Sequence, residues 1–385
     1  MRFLHTADWH LGRIYYGLSL LEDQAHLLDQ FVALVREKEP DVVIIAGDVY
    51  DRSVPPTEAV RLLNDTLKRI VIDEGTRVIL IAGNHDSADR LGFGSDLLSA
   101  AGLFVRGVPD KDKDIDPVIV EDEHGEVAIY PLPYANPAQV SELLGNQEIT
   151  SHHAALTAQM DRIRSVHRNG RRGIVVAHAF VQGGQESESE NSLSVGGSGV
   201  VSADAFAGMD YVALGHLHRP QTVGDPRIHY SGSLMKYSFN EADQAKSISL
   251  VELDAEGAKI ERIALIPRRD LRILEGTLQE LISAGANDPG KEDFILARLT
   301  DTGALLDAMN RLRMAYPNAL NIDHGNSSGI GTGLDSGQNH LQVKIEDLFS
   351  GFYKDVTGKE IDEEAMAMLI GEIDALGNEE REAAS

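Results

Sequence analysis

The stretch 77–86, RVILIAGNHD, constrains this chain more than any other. Val78, Ile79, Leu80 and Ile81 are apolar and partly β-branched, which predicts a buried strand. The strand stops at Gly83 and hands over to Asn84, His85 and Asp86. An amide oxygen can ligate a hard cation, an imidazole can ligate a metal or move a proton, and a carboxylate can orient that imidazole. Four more apolar runs end in the same way. Residues 2–7 lead into Asp8, Trp9 and His10; 42–46 into Gly47 and Asp48; 174–177 into His178; and 211–214 into Gly215, His216, Leu217 and His218. Ligands of open α/β sheets bind beyond the carboxyl ends of the strands, so the five ends are expected to converge on one place. Singly, Asp48 reads as a helix cap, His178 as a satisfied core histidine, and Asp8 with His10 as a strand-end turn. Five such coincidences at five strand ends are jointly implausible. Trp9, between two candidate ligands, reads as packing behind them.

Between these strands the periodicity is helical. Leu27, Leu28, Phe31, Leu34 and Val35 predict a helix over 21–39, ended by Pro40. Val60, Leu63, Leu67, Ile70 and Val71 predict another over 57–73. Alternating strand and helix implies right-handed crossovers and a parallel core. Residues 118–120 and 127–131 flank the charged turn 121–126 and predict a hairpin. Segment 182–202, rich in Gly and Ser, is expected to be a mobile loop beside the site rather than core. Residues 165–172 form a basic loop. Arg162, Arg164, Arg168, Arg171 and Arg172 there could meet DNA phosphates or simply face solvent. From residue 227 the runs 228–231, 246–253 and 259–266 read as antiparallel strands that close a first domain, 1–270. A small α+β unit follows over 271–323, with strands at 294–299 and 319–323 and a helix at 304–316. Residues 324–339 read as a flexible linker. In 340–385, Leu348, Phe349, Phe352 and Tyr353, then Met366, Leu369, Ile370 and Ile373, mark two short amphipathic helices. These either fold back on their own domain or dock on a partner. No internal repeat is present.

Composition sets the chemistry. The 385 residues include no cysteine, so ligands must be O and N atoms, and disulfides are excluded. Asp8, His10, Asp48, Asn84, His178, His216 and His218 are too many for one ion with open positions and about right for two. One carboxylate, most naturally Asp48, would bridge them. A pair of ions can clamp the attacking and leaving oxygens of an in-line displacement at phosphorus, and imidazole with carboxylate and amide suits Mn, Fe or Zn. The net charge of −26 argues against a free-standing nucleic-acid binder. Residues 341–385 carry twelve Asp and Glu against four Lys and Arg, leaving −8 there. No stretch has the length of a membrane span. A strand begins at once, so no signal peptide is expected, and a cytoplasmic location is the simplest expectation. No G-x-x-x-x-G-K-[ST] loop occurs, so any ATP dependence must come from another chain.

The series D-x-H, G-D-x-x-D, G-N-H-D, a lone His after a strand, and G-H-x-H resembles the calcineurin-like metallophosphoesterase superfamily. Ala213–Gln221, Tyr230-Ser231-Gly232-Ser233, the Ser238–Ala242 run, Leu312-Arg313 and Tyr316-Pro317-Asn318 extend the likeness to its DNA-nuclease members over about the whole chain. The resemblance implies an αββα fold: a β-sandwich flanked by helices, with a small α+β capping and DNA-recognition domain and a C-terminal helical tail. It implies one metal on Asp8, His10, Asp48 and His218 and another on Asp48, Asn84, His178 and His216. His85 would serve as the acid for the leaving oxygen, and Asp86 would orient it. Relatives outside bacteria carry a histidine three residues after the bridging Asp. Here that residue is Asp51, and no role carries over. The implied activity is a metal-dependent deoxyribonuclease, exonucleolytic on double strands and endonucleolytic on single strands and hairpins, in DNA repair, recombination and replication. The implied cofactors are two divalent ions, Mn²⁺ first, with Mg²⁺, Fe²⁺ or Zn²⁺ as alternatives. The implied partners are DNA ends and hairpins, a gating ATPase subunit, and a second copy in a homodimer within a heterotetramer; no membrane is implied. A stand-alone phosphoesterase on small or protein substrates is the alternative, but it gives residues 270–385 no purpose.

Overall fold

A computed structural model describes residues 1–190, 199–303, 305–324 and 366. Met1–Asp323 forms one compact unit. Apart from Met366, the 325–339 part of the expected linker and the expected docking helices of 340–385 lie outside the described residues.

Two six-stranded sheets stack face to face. The first runs, in spatial order, Ala258–Ala264, Ser247–Leu253, Arg2–Thr6, Val42–Ala46, Arg77–Ile81 and Leu103–Arg106. Its last four strands are mutually parallel, and the first two are antiparallel. The second runs Gln221–Val223, Asp225–Tyr230, Tyr211–Gly215, Arg172–His178, Gly125–Pro131 and Val118–Asp122. Its middle four strands are parallel.

Strand parity builds the layers, because successive side chains point to opposite faces. Val42, Ile44, Ala46, Ile79 and Ile81 meet Ile129, Ile174, Val176, Tyr211 and Ala213 between the sheets. Their neighbours Val43, Ile45, Val78 and Leu80 face outward onto Leu27, Leu28, Phe31 and Leu63 of the helices Leu21–Lys38 and Thr57–Lys68. On the other side Tyr130, Val175, Val212 and Leu214 meet Leu156, Met160 and Ile163 of the helix His152–Val166. The expected αββα sandwich is therefore the observed one. No helix among the described residues is long and apolar enough to cross a membrane.

Several elements differ from expectation. The helix over 57–73 is α-helical only to Lys68 and then widens into a π turn, Arg69–Asp73, in which the Glu74 amide donates to the Arg69 carbonyl at 3.0 Å. The wider turn lets the adjacent Ile70 and Val71 both reach the core. Asp225–Tyr230 joins the second sheet parallel to Tyr211–Gly215 rather than pairing with Ser247–Leu253. The strand Leu103–Arg106 was not anticipated. It is an edge strand with Phe104 and Arg106 only half-buried. Ser187 and Ser189 are buried, so this end of the 182–202 loop packs into the molecule.

Beyond residue 270 a three-stranded sheet, Leu271–Gly276, Phe294–Leu299 and Ala319–His324, carries the helices Leu278–Gly285 and Ala308–Arg313. The helix expected over 304–316 is thus shorter, and the first strand and first helix were missed. Leu278, Leu281, Ile295, Leu312 and Tyr316 form a core of their own, whereas Leu271, Phe294, Leu296 and Leu320 continue the core under the Leu21–Lys38 helix.

Candidate metal centre

Within each sheet the ligand-bearing strands are parallel neighbours, so their carboxyl ends share an edge. The two edges are pressed together. A Cβ on Gly215 would lie 1.9 Å from the Ala46 carbonyl across the two sheets, and one on Gly83, within the first sheet, would lie 2.1 Å from Asp48 Oδ1. Only glycine permits that approach. Asp8, His10 and Asp48 adopt left-handed backbone conformations (φ 53°, 44° and 48°), and His216 has φ 103°. Non-glycine residues held there concentrate at functional sites. The turns bind each other. The Asp8 amide donates to the Gly47 carbonyl (3.1 Å) and the His10 amide to the Asp48 carbonyl (2.9 Å). Gln24 locks the same loop, donating to the Trp9 and His10 carbonyls (3.0 and 2.8 Å) and accepting from Gly12 N–H. Trp9 is buried edge-on against Phe31, with its indole N–H on Thr6.

Three groups of donors result among the described residues: two consist of expected ligands, and the third is His10 with Asp51 and His85. Asp8, His10 and His218 offer ligand atoms within 4.8 Å of one another, and so do Asp48, His178 and His216. Asp48 Oδ2 lies between them, 3.7 Å from His10 Nε2 and 3.4 Å from His178 Nε2. Asn84 Oδ1 approaches His178 Nε2 at 2.9 Å. His178 Nδ1 donates to the Ala46 carbonyl (3.0 Å), so the Nε2 lone pair is aimed at two oxygen acceptors. Likewise His10 Nε2 and His218 Nε2 face each other at 3.0 Å. Acceptors converging on acceptors ask for a cation. Asp8 Oδ2 and His10 Nδ1 are buried without a hydrogen-bond partner among the described residues.

Without bound cations the electrostatics divide these groups. Burial pushes the Asp8 carboxyl well above the usual carboxylate range and pulls His10, His216 (to about 3) and His218 below that of imidazole. At His178 burial acts downward, but the Asp48 carboxylate outweighs it and holds the ring at about 9. At Asp48 burial acts upward, but the His178, His10 and His85 imidazoles outweigh it and keep the carboxyl low. Positive charge supplied by bound cations is what lets all these groups act as ligands together. The residues present fit divalent metal ions, with no sulfur among the donors.

His85 sits beside the two groups of expected ligands. Its ring is 4.7 Å from the His10 ring, and its Nε2 is 4.0 Å from Asp48 Oδ2. The partner of His85 Nδ1 is the Asp51 carbonyl at 2.8 Å. Asp86 instead accepts from the Gly83, Tyr50 and Val49 amides (2.9, 2.9 and 3.1 Å), tying the loop after Gly83 to the loop after Asp48. In these hydrogen bonds Asp86 holds the backbone of the two loops, and the Asp51 carbonyl meets the His85 ring. Asp51 also pairs with Arg13 at 3.0 Å.

Sequence reasoning missed the groups behind His218. Ser189 Oγ lies 2.6 Å from His218 Nδ1 and donates to Glu241, which also takes Lys246 Nζ at 2.6 Å. Glu190 accepts from the His218 amide at 2.6 Å, and burial lifts its carboxyl to about 7. These residues come from polar segments with no periodicity, and only the Ser238–Ala242 run gave any signal. Four of the five arginines around 162–172 are engaged within the chain, and Arg168 is exposed. Arg164 donates to the Ala205 and Ala207 carbonyls, Arg171 to Tyr130 and Glu126, and Arg162 to the Lys111 carbonyl. Arg172 is buried on Asp122, Gly125 and Leu253. It also opens the strand that His178 closes, roughly 20 Å from the centre at about 3.3 Å per residue.

The fold and the donor set define a metal-dependent hydrolase of phosphate esters, and residues 1–220 match the family described as calcineurin-like phosphoesterase: the chain belongs to that family. Within it, the chain is 35% identical over 364 residues to SbcD, the D component of the SbcCD nuclease, of Staphylococcus saprophyticus, covering 94% of each. Residues 267–357 match a second family, described as type 5 capsule protein repressor C-terminal domain. Among solved structures, GAP50 of Plasmodium aligns with TM-score 0.40 and 14% identity, covering 86% of this chain and 98% of that one. A dimetal phosphatase from Danio rerio aligns with TM-score 0.38 and 15% identity, covering 69% and 99%.

Proposed function

We propose that this chain is the nuclease subunit of an SbcCD-type complex, hydrolysing DNA phosphodiesters with two divalent ions, Mn²⁺ first among them. The observation that carries this is Asp48 Oδ2 set between two histidine groups. Asp8, His10, Asp48 and His218 would hold one ion, and Asp48, Asn84, His178 and His216 the other. When bound, the ions supply positive charge against the charge that builds up at phosphorus. The protein supplies the rest. Gly47, Gly83 and Gly215 allow the turns to close on one another. The Asp51 carbonyl takes the His85 Nδ1–H and fixes the ring, so that the protonated imidazole can hand its Nε2 proton to the leaving oxygen as the P–O bond breaks and itself become neutral. The relative's name supports a nuclease subunit of an SbcCD-type complex; DNA as substrate and an SbcC-type ATPase as gate belong to this reading. Double-strand exonuclease and single-strand or hairpin endonuclease activities belong to this reading, as does a cytoplasmic location.

Residues 271–323 are proposed to cap the site toward DNA, and residues 340–385, with their −8 charge, to dock the ATPase. A second copy is proposed to cover the apolar groove of about 610 Å³ lined by Val54, Val60, Leu67, Ile72 and Phe93. Phe93 is 85% exposed there and the adjacent Leu97 83%, exposed apolar side chains clustered as at a protein interface. Phe93→Glu is expected to turn a dimer into a monomer by light scattering, and a monomeric wild-type chain would refute the pairing. The functional test is cleavage of labelled duplex and hairpin DNA with Mn²⁺, with and without the ATPase subunit. Nuclease activity on both, extended by ATP only in the complex, is expected. Hydrolysis of small phosphoesters with no DNA cleavage in either state would overturn the reading.

A further inference from the structure

Behind His218, on the side away from His10, lies a buried chain of polar groups that the proposed hydrolysis does not use. His218 Nδ1 meets Ser189 Oγ at 2.6 Å, and the same hydroxyl meets Glu241 Oε1. Glu241 is fully buried. Its other oxygen takes Lys246 Nζ at 2.6 Å, and Oε1 also accepts from the Tyr237 amide at 3.3 Å. Lys246 Nζ donates in addition to the His218 carbonyl at 2.8 Å. A carboxylate bonded to a buried ammonium and a backbone amide is ionised and can only accept.

Direction follows from that. The hydroxyl of Ser189 has one proton, and the carboxylate beside it takes that proton. Ser189 Oγ can then only accept from His218, so the proton of the neutral ring must sit on Nδ1. Nε2 is left with a lone pair, and it is Nε2 that faces His10 Nε2 at 3.0 Å and the candidate ion. A metal-binding imidazole needs this division of its two nitrogens, and the partner of the remote N–H is what sets it.

We propose that Glu241, acting through Ser189, is a positioning residue that locks His218 in the Nδ1–H tautomer, and so sets the affinity of the ion shared with Asp8 and His10. The Ser187–Glu190 segment is thereby part of the machinery that retains the metal. Glu190 reinforces it by accepting from the His218 amide (2.6 Å) and the Ser187 amide (2.6 Å). The inference rests on the assignment of His218 as a ligand.

The test uses the full chain with ¹⁵N-labelled histidine rings. Mn²⁺ stoichiometry and affinity are measured by titration, and the tautomer is read from ring ¹⁵N shifts in the metal-free protein. Ser189→Ala should weaken one of two Mn²⁺ equivalents by about 10–100-fold, the usual effect of losing such a partner. One histidine should leave the Nδ1–H pattern at the same time. Ser189→Thr, which keeps the hydroxyl, should restore both readings, and Glu241→Gln should shift both in the direction of Ser189→Ala. If Glu241→Gln fails to fold, Ser189→Ala and Ser189→Thr still decide the matter. His218→Ala should lose one equivalent. If it does, and Ser189→Ala keeps wild-type affinity and tautomer, the relay is refuted while the ligand assignment stands; a lowered melting temperature alone would mark Ser189 as merely structural. If His218→Ala keeps both equivalents, the ligand assignment fails and the relay with it.

Discussion

Asp48 and His85 lie 4.0 Å apart across the centre, yet their removal should be distinguishable. Asp48 is nearly fully buried at a strand end, where its Oδ1 accepts from the His85 amide at 3.0 Å. Asp48→Ala should leave a folded chain that holds fewer than two ions and cleaves nothing in Mn²⁺. His85→Gln should keep both ions and lose turnover by about 10²–10⁴-fold, the range for a missing general acid. Metal analysis beside turnover separates them: His85→Gln losing metal in step with activity would make His85 a ligand. At this scale the sequence was most informative. All seven candidate ligands stand at the five strand ends, because an apolar run broken by Asp, Asn or His is a local signal. Ser189 was invisible and Glu241 stood out only as part of the Ser238–Ala242 run, since hydrogen bonds from Ser189 to residues 29 and 52 positions away leave no spacing to read.

The elements carry a different kind of information. The buried strands and the Leu21–Lys38 helix were legible because their period is local. The π turn at Arg69–Asp73 and the parallel placement of Asp225–Tyr230 were not, because each is decided by what lies across the core. Gly83 makes the same point about strand ends. Gly83→Ala would drive a methyl to 2.1 Å from Asp48 Oδ1, and relief by backbone movement costs about 1–3 kcal/mol. The variant should fold, melt lower and lose Mn²⁺ affinity; unchanged titration would show that the close approach is dispensable. Between the sheets, His5 and His229 are buried on Tyr211 and Ser249. Burial lowers His229 from 6.5 to about 3. A neutral buried imidazole binds a proton on unfolding, so this contribution is whole above pH 6.5 and fades as pH falls toward 3, by on the order of a few kcal/mol. The melting temperature of His229→Gln should therefore fall less steeply than that of the wild type between those pH values. Parallel profiles would contradict this.

For the whole molecule, the compact unit Met1–Asp323 contains every proposed ligand. A chain cut after Asp323 should therefore fold, bind two Mn²⁺ and cleave a small phosphodiester. Losing residues 340–385, it should no longer co-purify with the ATPase subunit. Co-purification at full stoichiometry would remove docking from the tail, and aggregation would place the tail in this protein's own core. The parallel core was legible from the alternation of strand and helix, and the sandwich from the family resemblance, but the role of the arginines around 165–172 was not. Strand direction places them at the far end, where Arg172 serves the fold by bonding Asp122.

One sheet contributes Asp8, His10, Asp48 and Asn84 to the centre, and the other His178, His216 and His218. Neither half therefore owns the chemistry. A slip of one residue, about 3.3 Å, would scatter the ligands, and a far smaller shear would already spoil their geometry. The centre is thus a gauge of how the two sheets are aligned. A force applied anywhere that tilts one sheet on the other would reach the reacting phosphate without touching it, and bound ions would resist that tilt like a rivet through both plates.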